Sequence, residues 1–449
     1  MDTDIHVTEL EVTFADEHLR TPLKFGTGVV SAVTSATVRA RVETRSGRAG
    51  EGYGHILLSD MWGYPSATLS HEARDQAMRL VTERWCRELQ SHSASGHPLD
   101  LWVEAKEALP TLARGVTNEV GLAEPMPLLG ALVCASPADA ALHDAFGQAH
   151  GLSAYDTYGP EFMTHDLGAY LGPALNGRYP RDYLRAAAEP ELPIFHLVGG
   201  LDKLTRAEVT PDDPQDGLPV ALTDWIERDG LRCLKVKLTG KDLGWDVQRT
   251  ADVARVAEET RRRMGADPRF YLSVDSNELN DSPESVVEYL QRLRQASPLA
   301  YEALLYVEQP TERDLTVHRF DMRPVAALKP VVADEGITDV SRLDLAAELG
   351  WTGVGLKTCK GHSSCLLYIA RARELGMVCT VQDLTNPGRS LVHSAGLAAR
   401  TETLMGFEYN SRQYLPQADP QVRARHADLF TVRGGTVRTG SIGPVGLGY

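Results

Sequence analysis

The sequence predicts an α/β protein in which an N-terminal α+β module is followed by a closed (β/α)8 barrel. Two observations carry this. The first fifty residues alternate like strands and then give way to helical patterning up to about residue 150, so strands come first and helices second. From about residue 195, eight short apolar runs alternate with amphipathic helices at a spacing of about 25–35 residues. Near-continuous apolar strands separated by helices form a parallel sheet buried on both faces. Their number favours a closed barrel over an open doubly wound sheet.

Taken in order, VTELEVTFA reads as a strand that ends in a polar turn. In SAVTSATVRARVETRSG, Val38, Ala40 and Val42 alternate with arginines before a Ser-Gly turn, and EGYGHI follows as another strand end. ASPADAALHDAFGQAHG predicts a helix that starts at Ser136-Pro137, gathers Ala141, Leu142, Ala145 and Phe146 on one side and stops at Gly151. The barrel runs are PIFHLVGG, LKVKL, FYLSVD, LLYVEQ, PVVADE, GVGLK, MVCTVQD and LMGFEY. Between them, SPESVVEYLQRL places Val286, Tyr289, Leu290 and Leu293 on one helix face. HSSCLLYIARARELG predicts a helix capped by Ser363/Ser364 and closed by Gly376, with His362 at its start. The proline-rich stretch TRAEVTPDDPQDGLPVAL, within residues 200–225, reads as a surface insertion between the first two barrel strands.

Composition narrows the function. The chain has 449 residues, 43% hydrophobic and 24% charged, which is globular and not disordered. Lys+Arg 46 against Asp+Glu 61 gives a net charge of −15, which argues against nucleic acid or an anionic membrane as partner. No run approaches the roughly 20 apolar residues of a membrane span. The acidic start MDTDIHVTEL lacks the pattern of a secretion signal. Six cysteines without a CxxC pair read as reduced thiols of a cytoplasmic protein. No GxGxxG or GxxxxGK[ST] follows a strand, so nucleotide-binding motifs are without support.

Functional side chains of a parallel barrel sit at the C-terminal ends of its strands. Strand two ends in Lys235-Val236-Lys237, strand three in Asp275-Ser276-Asn277, strand four in Glu308-Gln309-Pro310, strand five in Asp334-Glu335 and strand six in Lys357. Asp275, Glu308 and Asp334 would thus converge on one mouth, where like charges repel unless a cation binds, and all-oxygen ligation suits Mg2+. Lys235 and Lys237 share a strand face. Adjacent ammonium groups and partial burial lower a lysine pKa, which is how a lysine becomes a general base. Lys357, four strands on, would face the pair across the mouth.

The ordered set KxK, DxN, ExP, DE and then a strand-end lysine resembles the enolase superfamily, and within it the muconate-lactonizing branch of the mandelate racemase/muconate lactonizing enzyme family. The resemblance covers most of the chain. It implies a capping domain over residues 1–155, a catalytic barrel over 156–420, and a C-terminal segment, 421–449, that returns to complete the cap. It implies that Asp275, Glu308 and Asp334 bind Mg2+, with Mn2+ as a substitute, and that Asn277 and Glu335 support the site. Lys237 and Lys357 would be the acid/base pair on opposite substrate faces, with Lys235 tuning Lys237. The implied reaction removes the proton α to the carboxylate of a small molecule and stabilises the enediolate. Reprotonation on the other face gives a racemase or epimerase of an amino acid derivative or related acid. Loss of a β-group or ring closure gives a lyase or cycloisomerase, and a non-catalytic homologue is a remote third reading. A homo-oligomer is implied as well.

The chain departs from some relatives. Strand seven carries Gln382 and Asp383 but no His, and Val354 stands three residues before Lys357, so the His–Asp dyad of the mandelate racemase branch is missing. Strand eight, FEYNSR, lacks the DxD of dipeptide epimerases, leaving Glu408 as a candidate contact for a cationic substrate group. Specificity would lie in two cap loops, Thr21–Val30 and Gly52–Pro65, with Lys24, Phe25, His55, Met61, Trp62 and Tyr64 as candidates. Asp383 at strand seven joins them, and Arg389 and Arg412 are candidate anion contacts.

Overall fold

A computed structural model describes residues 1–25, 28–91 and 94–449; of residues 24, 25 and 28 it describes the backbone alone. The cap begins with an antiparallel sheet in the order β1 (Ile5–Phe25), β2 (Gly28–Thr44), β3 (Ala49–Leu57). β1 runs straight through the position where the sequence suggests a turn after residue 15. Pairing with β2 continues there, with register shifts only between Val7 and Glu9 and between His18 and Leu23. The polar residues that suggest a turn instead alternate along a half-exposed strand. Helix α1 (His71–Ser91) and helix α2 (Leu128–His150) pack on this sheet.

α2 begins eight residues before the predicted start, and Pro137 lies inside it. Proline lacks the N–H that would bond the carbonyl of Val133. The hydroxyl of Ser136 donates to that carbonyl instead, at 2.9 Å. The helix ends at Gly151, φ 66°, as expected. α2 lies directly on β3 because Gly50, Gly52 and Gly54 occupy every second position of the strand. A Cβ at these positions would come within 2.2, 2.1 and 1.9 Å of the helix backbone at Ala145 O, Ala145 N and Pro137 O.

Eight parallel strands follow, each at its expected place: β4 (Glu191–Val198), β5 (Cys233–Lys237), β6 (Tyr271–Asp275), β7 (Leu304–Glu308), β8 (Val331–Ala333), β9 (Gly353–Leu356), β10 (Val378–Val381) and β11 (Phe407–Glu408). β11 pairs with β4 and closes the barrel. Among the covering helices, α3 (Pro283–Ala296) buries Val286, Tyr289, Leu290 and Leu293, the face its periodicity predicts. β12 (Thr436–Arg438) adds antiparallel to β4. The chain end then reaches the cap, where Leu447 N donates to Asp144 of α2 at 2.8 Å and Ala154 N to Gly446 O at 2.7 Å.

Cap and barrel meet along α4 (His362–Glu374) and α5 (Gly388–Arg400). α4 is capped by Gly361, φ 99°, and not by the two serines. Ser363 donates to Asp139 of α2 through its N–H (2.9 Å) and hydroxyl (2.6 Å), and Ser364 accepts from Trp102 Nε1 at 3.1 Å. The serines therefore dock the cap. Beside them the Tyr158 hydroxyl lies between His143 Nδ1 (3.0 Å) and His362 Nε2 (2.7 Å), and His362 Nδ1 is 2.8 Å from His393. The six cysteines are free and buried, and among the described residues no helix is long and apolar enough to cross a membrane.

Candidate active site

The strand register sets the site. Lys237 pairs with Asp275 and Asp275 with Glu308, so the ends of β5, β6 and β7 stand at one level of the barrel mouth. Asp334 and Glu335 follow β8, and Lys357 follows β9. All are buried. At the ends of β6 and β7 the backbone takes positive φ at Asn277 (45°), Glu278 (71°) and Gln309 (26°), a left-handed conformation costly for residues other than glycine and common at functional sites. Gln309 repays part of that cost by accepting from the N–H of Asp334 (2.8 Å) and of Gly336 (3.2 Å), which fixes the β8 end.

The ammonium group of Lys235 lies 2.7 Å from Glu308, 2.7 Å from Glu408 and 3.0 Å from Asp275. Lys237 is 2.5 Å from Asp275 and donates to Asn277 Oδ1 at 2.8 Å. The two lysines thus share Asp275 between them. Across the mouth, Lys357 is 2.5 Å from Asp334, and its Nζ lies 4.5 Å from the ring centre of Trp62. Trp62 donates to Glu335 at 2.9 Å, and Asn277 donates to the same oxygen at 3.2 Å. The β10 and β11 ends complete the ring: Asp383 accepts from Asn410 Nδ2 (2.9 Å) and from the N–H of Thr385 (2.8 Å), and its own N–H donates to Glu408 at 3.3 Å.

Burial and charge shift these groups in opposite directions. Burial alone would lower Lys235 and Lys357, but the carboxylates around them outweigh it and hold both above the ordinary lysine range. Burial would likewise raise Asp275, yet Lys235 and Lys237 keep it well below the usual carboxylate range. Asp334 is lowered in the same way by Lys357 and Lys360. Glu308 is pushed well up by burial and by Asp275, Glu335 is raised by burial and by Asp334, and Asp383 is raised to about 7 by burial and Glu408.

Burial is the largest cause of the three raised carboxyls, and neighbouring carboxylates add to it. Asp275, Glu308, Asp334, Glu335, Asp383 and Glu408 outnumber the ammonium groups of Lys235, Lys237, Lys357 and Lys360 by two. The Oε2 atoms of Glu308 and Glu335 are buried without a hydrogen-bond partner. Among the described residues no three His, Cys, Asp or Glu side chains stand grouped as a metal site, because ammonium groups lie between the carboxylates. The donor chemistry nonetheless fits a hard divalent cation: oxygen ligands alone, two orphaned carboxylate oxygens and two more acidic side chains than ammonium groups.

The structure brings together Lys235, Lys237, Asp275, Asn277, Glu308, Asp334, Glu335 and Lys357, and Lys235, Lys237, Lys357, Asp383 and Glu408 line one cavity. Trp62 reaches the site by covering Lys357. His55 does not line the cavity: its Nδ1 is 3.0 Å from Ser390 Oγ of α5, and burial lowers it to about 4. The side chains of Lys24 and Phe25 lie outside the described residues. Tyr64 is buried with its hydroxyl on the Glu124 carbonyl. Arg389 stands 3.5 Å from Asp419, and Arg412 is paired with Asp229 and lies over Trp225, 4.7 Å from its ring centre; neither lines the cavity. Sequence reasoning missed Lys360, fully buried and donating to Asp334 through its carbonyl (2.6 Å) and carboxylate (3.1 Å). Its signal was the Lys-Thr-Cys-Lys spacing, which one 3-10 turn after β9 folds back onto the mouth.

No protein-family model and no curated protein matches the chain. Solved structures do. A dipeptide epimerase from Enterococcus faecalis, complexed with Mg and the dipeptide L-Leu-L-Tyr, superposes with a TM-score of 0.62 at 15% identity, covering 99% of each chain. A muconate lactonizing enzyme from Pseudomonas fluorescens, complexed with muconolactone, gives 0.58 at 14% identity, over 99% of this chain and 96% of that one. A mandelate racemase/muconate lactonizing protein from Herpetosiphon aurantiacus gives 0.60 at 16% identity, over 100% of this chain and 98% of that one. Along essentially its whole length, cap and barrel together, this chain has the fold of the mandelate racemase/muconate lactonizing structures.

Proposed function

We propose that the chain is a Mg2+-dependent enzyme of the enolase superfamily that moves the proton α to a carboxylate, as a racemase or epimerase of an amino acid derivative or related acid. The observation that carries the reading is the placement of two lysines on opposite walls of one cavity, Lys237 at the end of β5 and Lys357 after β9, four strands apart in an eight-stranded barrel. Asp275, Glu308 and Asp334 would hold the ion, which when bound neutralises the substrate carboxylate and the charge of the enediolate. Lys237 takes the α-proton on one face. Lys357, held as an ammonium by Asp334, donates a proton on the other, and the roles reverse for the opposite enantiomer. Lys235 fixes Asp275 and Glu308, while Asn277 and Glu335 orient Lys237 and Trp62. The buried ring keeps water from competing for the developing charge. The reading carries with it a homo-oligomer and a cytoplasmic location, the latter in keeping with six free, buried cysteines.

The test is α-proton exchange in D2O with Mg2+ across N-acyl amino acids, dipeptides, lactones and hydroxy acids. Lys237→Ala and Lys357→Ala should each abolish racemisation while Mg2+ binding persists. Racemisation undiminished in Lys357→Ala would refute the two-base mechanism. Exchange accompanied by loss of water or by rearrangement would transfer the chain to the lyase or cycloisomerase class.

A further inference from the structure

The cavity above the lysines has two unlike halves. Its floor is the charged ring. Its roof is aliphatic: Leu19 and Leu23 from β1, Val30 and Val33 from β2, Leu57 from β3 and Leu197 from the end of β4. These side chains are braced from behind. Leu23 packs with Leu197 and Tyr414, and Val33 with Leu57 and Leu415. Apart from the ring lysines, the charged groups among the described lining residues are Asp383 and Glu408, both acids. Arg389 and Arg412, which could have met a second anion, are engaged elsewhere.

Building on the α-proton reading above, we propose that the substrate is a carboxylate whose α-substituent is a short, branched, uncharged aliphatic group, seated under this roof. Size supports shortness: the whole cavity, charged floor included, has a free volume of only about 60 Å3. Valine and leucine side chains, of three and four heavy atoms, are short branched groups of this kind. Branching suits a roof contributed by four strands, because a γ- or β-branched group touches several of them at once. A second carboxylate seated under the roof would be stripped of water beside Asp383 and Glu408, with no cation among the described roof residues to meet it.

The experiment compares N-acetyl derivatives of alanine, valine, leucine, lysine and glutamate with the full-length protein and Mg2+. Exchange rate in D2O is read by NMR, and binding is read in parallel by calorimetry. The leucine or valine derivative should exchange fastest. The alanine derivative should lose about 10-fold or more for each missing methylene, and the glutamate derivative about 100-fold. Val30→Phe, at the half-buried rim, should invert the order of leucine and alanine, and Leu19→Ala should weaken leucine alone. Preference for the glutamate or lysine derivative would overturn the aliphatic assignment and leave the α-proton reading standing. No exchange, but calorimetric preference for leucine over glutamate, would overturn the α-proton reading and leave the pocket assignment standing. Neither exchange nor preferential binding across the panel would overturn both.

Discussion

The contact between α2 and β3 gives a sharp test of how the cap is built. Replacing Gly52 by alanine adds a single Cβ, which would sit 2.1 Å from Ala145 N, 2.6 Å from Ala141 O and 2.7 Å from Ala145 Cα. All three are backbone atoms, so no side chain can turn aside. To restore even 3.0 Å, the helix must withdraw by about 0.9 Å along a face that also carries Gly50 and Gly54. Overpacking costs about 1–3 kcal/mol where side chains can yield, and a rigid backbone contact belongs at about 3 kcal/mol. The control is Gly115→Ala, in an exposed helical turn where a Cβ meets nothing within 4 Å. That change should stabilise by about 0.4–1 kcal/mol through the unfolded chain. Urea unfolding followed by tryptophan fluorescence measures both, since Trp62, Trp85 and Trp102 lie in the cap core. If Gly52→Ala costs less than about 0.5 kcal/mol, the range of an ordinary surface change, the close approach of helix and strand is not what the glycines serve.

Two further outcomes follow from the same physics. His97 is buried and held neutral, its pKa lowered by burial to about 3, so an unfolded chain gains its proton first as pH falls. Its contribution is fully present above about pH 6.5 and is lost towards pH 3, at about 1.4 kcal/mol per pH unit. Asp139, raised to about 7 by burial, works in the opposite sense between about pH 4 and 7, so the clean reading is the difference between wild type and His97→Asn. That difference should shrink steadily as pH falls from 6.5, and a flat difference would refute the assignment. The insertion after β4 grips the cap: Arg20 of β1 bonds Asp216 at 2.5 and 2.9 Å and the carbonyls of Leu218 and Pro219. Asp216 is 40% exposed in its side chain, so Asp216→Ala should cost under about 1 kcal/mol. Because β1 also carries Leu19 and Leu23, KM should rise several-fold with little change in kcat, and an unchanged KM would show that the grip does not position the roof.

Period and punctuation made the barrel legible. Each strand is a short apolar run, and the strand-end residues Lys237, Asp275, Glu308 and Lys357 were found because a barrel puts strand ends in one place. What remained hidden depended on contacts between segments distant in sequence. Pro137 reads as a helix start by local rules, and only the hydroxyl of Ser136 on Val133 makes it tolerable inside one. Ser363 and Ser364 read as caps, yet their partners are Asp139 and Trp102, more than 200 residues earlier. His55 stood in a promising loop, but that stretch is part of β3, and His55 shares the face of Leu57; its place further back along the strand sets it over Ser390 of α5, while Leu57 at the strand end lines the cavity. The aliphatic roof was unreadable for the same reason, since its six residues are drawn from four strands and no single window contains them.

The joint between cap and barrel explains how a roof and a floor can act as one site. The two large apolar clusters meet at this joint, with Leu99 and Ala140 of the cap in the barrel cluster and Cys359 of the barrel in the cap cluster, and beside them run Asp139 to Ser363, Trp102 to Ser364, and the chain His143–Tyr158–His362–His393. Apolar contacts alone would tolerate small slides better, because they are non-directional. A buried hydrogen-bonded joint does not, since each group displaced from its partner is left unsatisfied at low dielectric. The polar joint therefore holds Trp62 over Lys357 and the aliphatic roof over the lysines in one register. Substitutions in the roof should then change which acid is accepted, those in the strand-end ring whether any proton moves, and those in the joint both together.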